Sequence, residues 1–353
     1  MALYVDDILI ISDNQDEINK TKAFLQEQFE MEDMGIVKRF LGMDIDQTPN
    51  GDIRINQKDY VKSVLDKFGM LNCRPSKTPF VAGEKLRSYE GVAEEQDRQT
   101  YQQMVGSLMY ASTCTRPDIA FATSTLSRFN NNPGPQHFKA VKHVLQYLRG
   151  TIDFGISYKA GEEDDGLDFH GYTDSDWVGE EDGRRSTSGF MFLMAGGAIS
   201  WRSKRQNTVA TSSTEAEYVA CAMASKEALW IRQLLAELQV FYNNNEYLQA
   251  TNNNCEPEIP SDWYYQPKNT TLPATTIYCD NNGATALTKN PEQMKKTKHI
   301  DIAYHFVRER VQSKELDFQY IPTGDMVADG LTKYLSAEKH TGYLKSMGLD
   351  SIN

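Results

Sequence analysis

Cysteine is scarce and scattered. The five cysteines, at 73, 114, 221, 255 and 279, are odd in number and never fall in a Cys-x-x-Cys spacing. That argues against a zinc site and against a disulfide framework, and it fits a reducing compartment. Long apolar runs are missing too. No stretch approaches the roughly 20 residues of a membrane span. The short run from Ile8 to Ile11 follows Asp6 and Asp7 rather than a basic segment, so no signal peptide is read there. A membrane partner is not expected. Positive charge is in deficit: 37 Lys and Arg against 49 Asp and Glu give a net charge of −12, which excludes a uniformly basic nucleic-acid-binding surface. What is left is an ordinary mixture, 40% hydrophobic and 24% charged, and 353 residues are enough for two or three domains with cores of their own.

The charge is unevenly spread. Arg184 to Arg205 holds five basic residues and no acid, and Asn281 to Lys314 holds seven against three acids. Acid collects elsewhere, as in Glu162-Glu-Asp-Asp165. Near the basic run lie carboxylates with a suggestive spacing. Leu167 to Trp177 reads as a strand, on which Asp174 and Asp176 share a face. A long helix is predicted from Ser212 to Leu238, with Ala216, Val219, Met223, Trp230, Leu234 and Leu238 available for burial. Its start, Thr211-Ser-Ser-Thr-Glu-Ala-Glu, fits a capping box twice, at Ser212/Glu215 and at Thr214/Glu217. Taken alone, Glu215 reads equally as a cap, and the aspartate pair as a solvated strand end. Two more acids shift the balance: Asp280 ends the apolar strand Thr276-Ile-Tyr-Cys, and Asp329 lies where a last strand gives way to a helix. Four converging carboxylates suit two hard divalent ions about 4 Å apart, the arrangement used for in-line phosphoryl transfer. A basic strip beside them suits the flanking phosphates of a nucleic acid.

Residues from about 168 to 335 resemble the RNase H domain of copia-type retrotransposon Pol proteins. The matching blocks are Gly171-Tyr-Thr-Asp-Ser-Asp-Trp-Val-Gly179, Arg185-Ser-Thr-Ser-Gly-Phe190, Ile199-Ser-Trp-Arg-Ser-Lys-Arg-Gln206, Ser213-Thr-Glu-Ala-Glu-Tyr218, Tyr278-Cys-Asp-Asn281, Lys296-Thr-Lys-His-Ile-Asp301 and Ala328-Asp-Gly-Leu-Thr-Lys333. Each is weak alone; their joint order is specific. The resemblance implies catalytic, metal-holding acids at Asp174, Glu215, Asp280 and Asp329, with Asp174 favoured over Asp176. It implies two Mg²⁺ ions, with Mn²⁺ as a substitute, and an RNA–DNA hybrid as the nucleic-acid partner, cut in its RNA strand. Arg184, Arg185, Lys204, Arg205, Lys296 and Lys298 are the expected phosphate contacts. His299 and His305, on a helix predicted over 298–311, are weaker candidates for proton transfer or product release.

The first residues, Tyr4-Val-Asp6-Asp7 between apolar runs, predict a hairpin with the acids at its turn. They resemble the Tyr-x-Asp-Asp metal-binding signature of reverse transcriptases. The match to the same family continues through Phe40-Leu-Gly-Met43, Gln103 to Tyr110, Thr115-Arg-Pro-Asp118 and Val144 to Gly150. Such polymerases need an earlier palm carboxylate and fingers, and only three residues precede Tyr4 here. Asp6 and Asp7 are therefore expected to be a remnant polymerase metal site, and this chain by itself is expected not to extend a primer.

The expected fold is α/β: an RNase H-like mixed five-stranded sheet with packed helices, after an α+β remnant of reverse-transcriptase palm, thumb and connection. The expected units are 1–75, a linker and helical connection over 76–152, the RNase H-like unit over 153–340 with an Asn-rich insertion at 241–273, and a tail over 341–353. In the first part, helices are predicted over 14–31, 57–68, 101–111, 117–129 and 135–148, with a hairpin across Asn50-Gly51. The aromatics Tyr110, Phe121, Phe129 and Tyr147 read as core. Two other readings stay open: an idle element relic that only binds nucleic acid or a partner, and a fragment working with the rest of a Pol polyprotein. The resemblance places such a chain in the cytoplasm, within a virus-like particle, and in the nucleus.

Overall fold

The computed structural model describes residues 1–351 except 13, 82, 162–168, 178–183, 239–272 and 290–297, and describes only the backbone of 298–303. All but the last residue of the expected insertion, and Lys296, lie outside the described residues, as do the side chains of Lys298 and His299.

Strands β1 (Ala2–Tyr4) and β2 (Asp7–Leu9) form the predicted hairpin, with Asp6 in the turn and Asp7 opposite Tyr4. Helix α1 (Gln15–Gln28) is capped by Asn14, whose side chain accepts from the Asp16 N–H, and it buries none of its residues. Strands β3 (Arg39–Phe40), β4 (Met43–Gln47) and β5 (Ile53–Asn56) follow, the last two joined across Gly51, whose φ of 87° suits a residue without Cβ. Helices α2 (Lys58–Lys67), α3 (Glu95–Cys114), α4 (Ala120–Ser127) and α5 (Pro135–Gly150) enclose one core around Leu65, Tyr101, Leu108, Leu126 and Leu145. Of the aromatics read as core, Phe121 and Tyr147 are buried, Phe129 is partly buried, and Tyr110 is exposed at the surface.

Beyond these come β6 (Phe154–Tyr158), β7 (His170–Asp176), β8 (Thr187–Met194), β9 (Gly197–Arg205), α6 (Ser213–Glu237), β10 (Thr275–Cys279), α7 (Asn282–Lys289), α8 (Lys298–Gln312), β11 (Leu316–Tyr320), α9 (Ala337–Ser346) and β12 (Leu349–Ser351). One five-stranded sheet runs β9-β8-β7-β10-β11. Its β7, β8 and β9 are antiparallel neighbours, and β10 runs parallel to both β7 and β11. With α6, α7 and α8 sharing its core, this is the mixed, helix-packed, RNase H-like sheet that the sequence blocks imply.

A second sheet, β12-β6-β5-β4-β3, is antiparallel throughout. It crosses the expected unit boundaries: β6 falls within 153–340 yet pairs with β5, and β12 falls in the expected tail yet pairs with β6. No helix among the described residues is long and apolar enough to cross a membrane.

Candidate metal centre

The site is built on the central strand. Asp174 stands near the end of β7, fully buried, opposite Gly189 of β8. A Cβ at Gly189 would lie 2.7 Å from Leu331 Cβ and 2.9 Å from Thr332 Cγ2. Only glycine there lets the short helical turn Val327–Leu331 close on the sheet, and that turn carries Asp329 to Asp174. The neighbouring parallel strand β10 ends at Cys279, so Asp280 emerges beside the same edge. The ligand oxygens of Asp174, Asp280 and Asp329 all lie within 4.8 Å of one another. Three of the four expected acids therefore meet.

Glu215, the fourth expected acid, does not fall in that group of ligand atoms. It serves the α6 N-terminus: Ser212 Oγ accepts from the Glu215 N–H at 3.2 Å, and Glu215 Oε2 accepts from the Thr211 N–H at 2.8 Å and from the Thr211 hydroxyl. Two residues along a helix is a rotation of about 200°, so Glu217 faces the sheet instead. It is the acid that sequence reasoning missed. Glu217, Cys279 and Asp280 form a second group of ligand atoms within 4.8 Å. Glu217 is buried, and its Oε2 atom has no hydrogen-bond partner among the described residues.

The electrostatics follow from burial. Desolvation pushes the Asp174 carboxyl up to about 6; Lys333 and Thr332 work against that shift, while Asp329 and Asp280 add to it. Burial, then the nearby Asp174, Cys279 and Asp280, push Glu217 up to about 10. Such packed carboxylates call for positive charge. Part of it comes from Lys333, also missed in the sequence, whose Nζ donates to Asp329 Oδ1 at 2.8 Å and to Asp174 Oδ1 at 3.3 Å. Burial disfavours its charge, but the two aspartates outweigh burial and hold Lys333 charged above the ordinary lysine range. Thr332 donates to Asp174 Oδ2, and Thr323 donates to Asp280 Oδ2 at 2.7 Å, fixing both carboxylates. In the two groups found among the described residues, every ligand atom but the Cys279 sulfur is a carboxylate oxygen, and such oxygens suit a hard divalent cation.

Around the centre, Arg184, Arg185 and Lys204 are exposed, and Arg205 is half-buried. Arg205 pairs across β8 with Thr187, itself opposite Asp176, so the basic edge is two strands from the acid end of β7, roughly 10 Å. Asp176 is half-buried and falls outside both ligand groups. His305 is exposed on α8. Asp6 and Asp7 are exposed at the N-terminal hairpin, and among the described residues they join no group of three metal-ligating side chains.

Residues 1–82 match the family model described as "Reverse transcriptase (RNA-dependent DNA polymerase)". The chain is 37% identical over 357 residues to the retrovirus-related Pol polyprotein from transposon TNT 1-94 of Nicotiana tabacum, covering 99% of this chain and 24% of that protein. It is 36% identical to the one from transposon RE1 of Arabidopsis thaliana, covering 100% of this chain and 22% of that one. It is 32% identical to the transposon Ty5-1 protein YCL074W of Saccharomyces cerevisiae, covering 62% of this chain and 70% of that protein. The chain belongs to the copia-type retrotransposon Pol family, with a reverse-transcriptase region at its N-terminus and an RNase H-like unit after it. It spans about a quarter of the length of the Pol polyproteins it matches. Among solved structures, it overlaps the N-terminal RNase H domain of rv2228c from Mycobacterium tuberculosis, with a TM-score of 0.29, 8% identity, and coverage of 50% of this chain and 97% of that one. It also overlaps LC11-RNase H1 solved in complex with RNA/DNA hybrid, with a TM-score of 0.26, 15% identity, and coverage of 46% and 93%.

Proposed function

We propose that this chain is a metal-dependent ribonuclease H that cuts the RNA strand of an RNA–DNA hybrid, working as the C-terminal part of a retrotransposon Pol protein. The observation that carries this reading is the convergence of Asp174, Asp280 and Asp329 within 4.8 Å, with the unpartnered Glu217 oxygen beside them. Membership of the Pol family and the basic edge at Arg184, Arg185, Lys204 and Arg205 supply the substrate class.

Asp174, Asp280, Asp329 and Glu217 are the residues that would hold Mg²⁺ or Mn²⁺. Bound there, divalent ions supply a water nucleophile at neutral pH and offset charge on the leaving 3′ oxygen. The chain's own side chains do the rest. The exposed arginines and Lys204 take the flanking phosphates. Thr332 and Thr323 keep Asp174 and Asp280 in place. Lys333 holds positive charge against Asp174 and Asp329, and with a cation held by those aspartates its ammonium would be available to a phosphate oxygen.

A second reading has one observation in its favour. Lys333 already neutralises two of the three converging aspartates, as an idle, nucleic-acid-binding relic would allow. A labelled hybrid separates the two. The proposal expects RNA-strand cutting with Mg²⁺ or Mn²⁺, none with chelator, and a loss of at least ~100-fold in Asp174→Asn, the scale on which electrostatic catalytic groups act. A folded wild-type chain that binds hybrid and cuts nothing would sink the enzyme reading in favour of the relic.

A further inference from the structure

The two ligand groups share Asp280 but differ in chemistry. Asp174, Asp280 and Asp329 offer oxygen alone. Glu217 and Asp280 stand with the sulfur of Cys279, all ligand atoms within 4.8 Å. Cys279 is 0% exposed and Glu217 is 6% exposed, while Asp280 is half-buried and gives the group its access to solvent. Glu217 Oε2 has no hydrogen-bond partner among the described residues. A buried polar atom in that state is destabilising, more so if charged, and a cation beside it removes the penalty. Asp280 is already oriented by Thr323, as a ligand with an outer-shell partner is.

Sulfur changes which cation is preferred. Mg²⁺ wants an octahedron of oxygens, whereas Zn²⁺ takes thiolate at about 2.3 Å and carboxylate oxygen at about 2.0–2.2 Å in a tetrahedron. Ligand atoms around such an ion stand roughly 3.3–3.8 Å apart, within reach of the spacing here. We propose that Glu217, Cys279 and Asp280 form a thiolate-bearing site for Zn²⁺ or a similarly soft divalent cation, and that its occupation inhibits the enzyme by withdrawing Asp280 and Glu217 from the oxygen-only centre. Binding forms one metal–sulfur and two metal–oxygen bonds, releases the Cys279 thiol proton and the Glu217 carboxyl proton to solvent, and changes no oxidation state. A water fills the fourth position. The inhibitory half rests on the ribonuclease reading; the binding half does not.

The test keeps those halves apart. Cd²⁺ is titrated into the full chain and followed by its thiolate-to-metal absorption in the ultraviolet. The wild type should show a saturable band that Zn²⁺ competes away and Mg²⁺ does not. Cys279→Ser should lose the band and bind Zn²⁺ at least ~10-fold more weakly, whereas Cys73→Ser, at a half-buried thiol outside the group, should keep both. If thermal melting shows that Cys279→Ser is misfolded, Glu217→Gln decides: the band persists while Zn²⁺ affinity falls by a similar factor. A band and an affinity unchanged in both variants, or lost in Cys73→Ser, overturn the site. In hybrid cleavage, the zinc concentration that halves each protein's own rate should rise at least ~10-fold in Cys279→Ser; an unchanged value overturns the inhibitory half. Absence of any cleavage would defeat the ribonuclease reading while the cadmium band still decides the site.

Discussion

Glu215 and Glu217 look alike in the sequence, since each sits three residues after a hydroxyl that can cap α6. Spacing alone cannot choose between them. The choice is made by the rotation of the helix, which is set by which of its residues the sheet covers. Cys221, one turn after Glu217, is fully buried, so Glu217 points the same way. Asp174, Asp280 and Asp329 were legible because strand ends and a short turn leave little freedom in where a side chain goes. The two glutamates should differ in stability as well as in role. Glu215→Ala removes a cap partner and should cost about 0.5–2 kcal/mol by thermal or urea unfolding. Glu217 acts through pH. Its carboxyl is pushed up to about 10 and that of Asp174 up to about 6. A carboxyl raised on folding favours the folded chain below its unfolded pKa, around 4, and that advantage is lost as pH rises toward the folded value. With chelator present, the melting temperature should therefore fall from about pH 5 to pH 8, and Glu217→Gln should flatten the fall. A flat wild-type profile would contradict this assignment.

At the scale of the element, α6 holds the main lesson. Its length and Ser212 cap are read correctly from the sequence, and its buried face only in its first half. Trp230, Leu234 and Leu238, expected inside, are 58%, 38% and 59% exposed. Ala216 is buried and Met223 packs against the core, as expected, and the covered face continues through Ala220, Ala224 and Ala228, with Cys221, Ile231 and Leu235. Small residues let the helix lie close on β7 and β8, and that closeness brings Glu217 within reach of Asp280. Hydrophobic size misleads here because a close helix–sheet contact selects against it. Ala224→Leu should therefore overpack the contact, costing about 1–3 kcal/mol and displacing Glu217. Thermal melting and hybrid cleavage should both fall; unchanged cleavage would show that the helix position is not what sets the centre.

For the whole molecule, the unexpected feature is how the two parts are joined. Strand β12 at the end of the chain completes the sheet begun by β3 to β6, a long-range pairing that no local pattern announces. A buried polar chain reinforces it. Arg116 pairs with Asp118 at 2.7 Å, both almost fully buried; Tyr147 donates to Asp118 Oδ2 at 2.6 Å; and His340 of α9 lies 2.9 Å from the Tyr147 hydroxyl. Nearby, Tyr334, next to Lys333, meets Phe80 and Phe121 edge-on, each at 5.1 Å. The helical region thereby braces the turn that carries Asp329. Asp118→Asn leaves the Arg116 charge buried without its counterion and should cost about 3–5 kcal/mol. The loss should appear in one unfolding transition shared by both parts, whereas two separable transitions would show that they fold independently.

The central question is which carboxylates cut. The most direct measurement is Mg²⁺-dependent cleavage of one labelled RNA–DNA hybrid by the wild type, Glu217→Gln and Glu215→Gln, with folding checked by melting. The account predicts cutting of the RNA strand by the wild type, a loss of at least ~100-fold in Glu217→Gln, and a rate within a few-fold of wild type in Glu215→Gln. Full activity in Glu217→Gln, with activity lost in a folded Glu215→Gln, would contradict it.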